Sequence, residues 1–140
     1  MTLTLTQART VIDAALAEAR RQGLRPMGVV VVDAAAQVVA SAREDGASAL
    51  RLDIALGKAA AAVGMGVASR VLTQRAKELP AFFGAVSAAA QQKFVPQTGA
   101  VLVKDAAGQV IGAAGASGGT GDEDEQIVIA GIAAAGLAHG

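Results

Sequence analysis

The sequence predicts a single α+β domain, an antiparallel β-sheet of two hairpins covered by helices. Three observations carry that expectation. "VVVVDAAAQVVASA" at 29–42 and "VLVKDAAGQVIGAA" at 101–114 repeat one pattern: a β-branched run, an Asp-led turn and a second run. That is the signature of a hairpin. The segments around these two carry the 3.6-residue spacing of amphipathic helices, or their stop signals. The strands within each pair are joined by tight turns and not by helical crossovers, which argues against a doubly wound sheet. A length of 140 residues is too short for two separate cores, so residues 1–140 are read as one unit.

A first helix is expected over 4–22, where Leu5, Ala8, Ile12, Ala15, Leu16 and Ala19 recur at helical spacing behind a Thr4-Leu5-Thr6-Gln7 capping box. Gly23 ends it and Pro26 bars its continuation. The run "MGVVVVD" at 27–33 suits a strand buried on both faces, and a second strand follows at 38–43. Leu52, Ala55, Leu56, Ala59 and Val63 then share one stripe of a helix over 47–63, which "GMG" at 64–66 breaks. A shorter helix is expected over 67–78. Pro80 opens another that runs to about Gln92. The last helix is expected from Asp122 to about Leu137.

Hydrophobic residues make up 53% of the chain but aromatics only 2%, so Ala, Val, Leu and Ile must fill the core. Each small side chain buries little area, at roughly 25 cal/mol per Å². Association would add what such a core lacks, and a homo-oligomer built through the Ala- and Gly-rich helices is expected. Basic and acidic residues number 12 each and no basic run is interleaved with aromatics, which argues against nucleic acid as a partner. No apolar run approaches the roughly 20 residues of a membrane span. "MTLTLTQART" lacks the form of an export signal, so the expectation is a cytoplasmic protein with no membrane partner. With no cysteine there is no thiolate site, and no metal-binding triad is visible.

The stretch "GAAGASGGTGDEDE" at 112–125 admits three chemistries. Gly115-Ala116-Ser117-Gly118-Gly119 fits a serine nucleophile elbow, but that needs a histidine base, and the only histidine is His139, beside the last residue. A phosphate loop would need Gly-Lys-Ser/Thr, which is absent. The structural reading is a tight strand end followed by a Thr120–Glu123 capping box, with Asp122, Glu123 and Asp124 at the positive end of the helix dipole. Backbone N–H groups in that turn could also hold a ligand carboxylate.

"LTQARTVIDAALAEARRQGL", "VVVVDAAAQVVASAREDGA", "DIALGKAAAA" and above all "GQVIGAAGASGGTGDEDEQIVIAG" resemble the GlcG/HbpS-like haem-degrading domain family, also found as the C-terminal domain of PduO-type proteins. The resemblance covers nearly the whole chain. It implies a profilin-like fold, a homo-oligomer and, in some members, binding of haem or a corrinoid. The chain departs from the family at Gln97-Thr98-Gly99-Ala100, where many relatives carry a Pro-Gly-Gly-Val-Pro run. Haem iron is usually held by His, Cys, Met or Tyr. Met27 and Met65 read here as core or loop residues, so haem, the expected cofactor if there is one, would be held through apolar walls and propionate contacts. Phe82 and Phe83 could cover a flat ligand or simply fill the core.

Arg43, Asp45, Arg51 and Lys58 form a charged cluster, with Arg51 and Lys58 seven apart on one helix face away from the Leu52/Ala55/Ala59 stripe. It reads either as a solvated face or as a site for carboxylates or haem propionates. Three functions stay open: a protein that binds a small anionic ligand, tetrapyrrole foremost; an enzyme acting on a small carboxylic acid in catabolism; and a purely structural or scaffold subunit. In the enzyme, Lys58 or Asp45 would move the proton. Because the hairpins repeat, the ends of the second and fourth strands should coincide. That places a ligand-binding pocket among Arg43, Arg51, Lys58, Ser117, Gly118 and Gly119.

Overall fold

Thr4 opens the first helix as its sequence predicts: its hydroxyl accepts from the Gln7 N–H at 3.1 Å, and the Gln7 side chain accepts from the Thr4 N–H at 3.0 Å. The computed structural model describes residues 2–91 and 93–140. The helix, α1 (Leu5–Arg21), leads into β1 (Gly28–Asp33) and β2 (Val38–Arg43). Three helices follow, α2 (Arg51–Met65), α3 (Ser69–Glu78) and α4 (Pro80–Ala89), and then β3 (Ala100–Lys104), β4 (Val110–Ser117), α5 (Gly121–Ala134) and β5 (Ala138–His139). The sheet runs β2-β1-β4-β3-β5 with every pair antiparallel, so the α+β class is the one the chain adopts.

The repeat in the sequence is a repeat in hydrogen bonding. Asp33 Oδ1 accepts from the N–H groups of Ala35 and Gln37 at 2.9 and 3.0 Å, and Asp105 Oδ1 from those of Ala107 and Gln109 at 3.0 and 2.9 Å. Each turn needs one left-handed residue. The second hairpin uses Gly108 (φ +81°); the first uses Ala36 (φ +62°), where a Cβ makes that conformation costlier.

Several boundaries differ from expectation. The helix expected from Ala47 begins at Arg51, because residues 44–50 are spent turning the chain off β2. The last helix stops at Ala134, since Gly136 (φ +72°) turns the chain back, and Ala138–His139 pairs with β3 as a strand the sequence did not announce. Gln92, expected to end α4, lies outside the described residues.

Alternating valines bury both faces of the sheet. Val29 and Val31 meet α1 and α5, while Val30 and Val32 meet Ala55, Ala59 and Ala62 of α2. Beyond α2, Leu72, Phe83 and Phe94 form a smaller cluster around Ala61. The segment after α4 is pinned to α2: the Val95 N–H donates to the Gly57 carbonyl at 3.0 Å, and a Cβ at Gly57 would collide with the Val95 side chain.

Candidate functional site

Strand register brings three chain segments to one end of the sheet, with Gly28 opposite both Arg43 on β2 and Ser117 on β4. There the Lys58 side chain of α2 reaches the start of α5, which packs on the other face of the sheet. Lys58 is 5% exposed and Asp124 1%. The Lys58 ammonium donates to Asp124 Oδ2 at 3.0 Å and to the Ala116 carbonyl at 3.1 Å; Asp124 Oδ1 accepts from the Gly119 N–H at 2.9 Å. Burial pushes the Asp124 carboxyl above its ordinary range, while Lys58 and the Gly119 N–H pull against that rise. Two turns away on α2, Arg51 Nη1 donates to Ser117 Oγ at 3.1 Å. Gly99 closes over the ammonium at φ +142°, where a Cβ would lie 2.6 Å from Lys58 Nζ. Above the ion pair opens a polar cleft of about 430 Å³, lined by Arg51, Lys58, Gln97, Thr98, Ser117, Gly119 and Asp124 among others.

Of the residues singled out from sequence, Arg51, Lys58, Ser117 and Gly119 line this cleft and Gly118 lies beneath it, packed on Pro26 and Met27. Arg43 and Asp45 do not reach it. Arg43 sits on the edge strand, two strand spacings or about 10 Å from β4. Its Nη1 donates to the Ala47 carbonyl at 2.6 Å, beside a separate hollow that Asp45 shares with Arg20, Pro26 and Glu44. Three of the backbone donors at the α5 start are engaged: Gly119 with Asp124, Thr120 with Glu123, and Glu123 with Thr120 Oγ1.

Asp124 is the residue that sequence reasoning missed, having been read only as part of an acidic cap. The signal was present. Asp124 heads the series Ile127, Val128, Gly131 and Ile132, the buried stripe of α5, whereas Asp122 is exposed and pairs with Arg70.

A second cleft, about 520 Å³ and mostly apolar, opens between α2, α4 and the β1–β2 turn. Val38, Leu56, Ala60, Met65, Val86 and Phe94 form walls, and Lys93 joins them. Met27 is wholly buried in the core, and His139 lies on β5 at the opposite edge of the sheet. Met65 is therefore the only cleft-lining residue, among those described, of a type that usually holds haem iron. Phe83 stacks on Phe94 with centroids 5.9 Å apart; Phe82 is 54% exposed, and neither Phe82 nor Phe83 lines the cleft.

The profile of the family described as "Haem degrading protein HbpS-like" matches residues 3–133. Among solved structures, the chain is similar to PduOC in complex with haem, at 26% identity and TM-score 0.86 over 99% of this chain and 98% of that one. It is similar to HbpS, also solved as a double mutant of the Streptomyces reticuli protein, at 29% identity and TM-score 0.82 over 95% of this chain and 89% of that one. The Klebsiella pneumoniae protein ORFY, of the DUF336 family, matches at 26% identity and TM-score 0.87 over 97% of this chain and 92% of that one. No curated protein sequence matches.

Proposed function

On the premise that this chain belongs to the HbpS-like family of haem-degrading proteins, we propose that it binds an anionic tetrapyrrole, haem foremost, in the apolar cleft between α2 and α4. The observation that carries this reading is the chemistry of that lining. A porphyrin needs flat apolar walls, a cation for its propionates and, for tight hold on iron, a soft or basic donor. Leu56, Ala60, Val86 and Phe94 supply the first, Lys93 the second, and the Met65 thioether the third. Bound haem would supply one-electron and oxygen chemistry. The protein's own part is to bury the macrocycle, orient it by its propionates and limit access of water. The same reading takes the protein as a cytoplasmic homo-oligomer, with a corrinoid as the competing ligand.

Titration with haemin, followed at the Soret band, tests it. A saturable shift is expected. Ala60→Trp, which fills the cleft, should abolish it, and Met65→Leu should retain binding with an altered band. A titration that does not saturate, cobalamin displacing haemin at equal concentration, or an Ala60→Trp variant that binds as well as the parent overturns the proposal.

A further inference from the structure

We propose that the polar cleft is a second and separate site, one for a small mono- or dicarboxylic acid whose carboxylate is held by Arg51 above the buried Lys58–Asp124 pair. The first argument is charge. Each acid lining the cleft already has a cation, Asp124 with Lys58 and Asp122 with Arg70. Arg51 alone lines it with no direct ion pair among the described residues: its charge reaches Asp124 only at a distance, and its one hydrogen bond goes to a neutral hydroxyl. A guanidinium facing a cleft with most of its donors unspent is the natural partner of a carboxylate, which it can grip with two parallel N–H bonds.

The second argument is that the floor is built and not merely left open. Lys58 has three ammonium donors, of which Ala116 and Asp124 take two. A buried ion pair contributes little net stability against an apolar replacement, yet this one is held by the Gly119 N–H from one side and the absent side chain of Gly99 from the other. Ser117 fixes the guanidinium over it. The cleft's lining, polar but for Ile54, suits a small acid and offers no flat apolar wall to a macrocycle. With the Gly119, Thr120 and Glu123 N–H groups already engaged, the charge that recognises an acid comes from the side chains, and from Arg51 above all.

The test is calorimetric titration with malonate, succinate and pyruvate in low-chloride buffer, with malonamide as the uncharged control. At least one acid should bind saturably while malonamide does not. Arg51→Gln should weaken that acid at least about tenfold, and Arg51→Lys, which keeps the charge but loses the fork, by less. The proposal fails if none of the three acids binds better than malonamide, or if Arg51→Gln binds as the parent does. The wild-type arms decide it even if a variant fails to fold. The two clefts share no lining residue, so haemin titration of Arg51→Gln tells failure here from failure of the haem reading.

Discussion

Lys58→Met removes the buried cation and replaces it with a side chain of similar length, so the loss is mainly electrostatic. Breaking a buried pair from one side costs about 3–5 kcal/mol because the partner charge is stranded. For a domain whose total stability is about 5–15 kcal/mol, that is a large fraction. Asp124 has one escape, which is to bind a proton. Its carboxyl already sits above the ordinary 3.8 through burial, and loss of Lys58 removes the largest pull against that rise, leaving the Gly119 N–H and Arg51. A carboxyl raised in the folded state is protonated there while still ionised in the unfolded chain, so its contribution falls as pH rises from the unfolded value to the folded one. The gap between parent and variant should therefore be small near pH 4 and widen with pH, by no more than about 1.36 kcal/mol per unit, to the full value at or above neutrality. Other carboxylates titrate alike in both proteins and cancel. Thermal melts at pH 4, 6 and 8 should show the variant about 10–20 °C lower at pH 8. A deficit under about 3 °C, or one constant from pH 4 to 8, would refute the buried pair.

Gly99→Ala forces a Cβ to 2.6 Å from Lys58 Nζ in a backbone conformation that side chains avoid, and should cost about 1–3 kcal/mol in denaturant unfolding. A value within error of zero would mean that the loop over Lys58 moves freely. Light scattering at micromolar concentration should give a multiple of 13.8 kDa, and the monomer mass itself would dismiss the homo-oligomer.

Local chemistry was legible because the chain writes it locally. The hairpins, the Asp33 and Asp105 turns and both Thr caps each depend on residues within a few positions of one another. The site was legible only in part. Arg51, Lys58 and Ser117 stood out by type, but whether the Arg51/Lys58 face met water or protein depended on Asp124, 66 residues beyond Lys58. Helix phase could have supplied that residue; pairing across such a distance could not be read from it. The Arg43 error has a different origin. Equal register at a sheet end was taken for shared space, whereas an edge-strand side chain finds its partner in its own turn. The short β5 carries no strand pattern, because the sheet edge it joins, and not its own residues, makes it a strand.

The Val95 clasp gives the two clefts a party wall. Lys93 and Phe94 stand on the apolar side of it and Gln97 and Thr98 on the polar side, with Val95 seated between them against Gly57. A guest in either cleft would move the opposite boundary only by displacing Val95 from its seat on Gly57. Were such a displacement to couple the two guests, linkage would make the effect reciprocal. Two clefts of opposite chemistry thus stand back to back across a few residues of chain, and that partition is seated in the space where a glycine lacks a side chain.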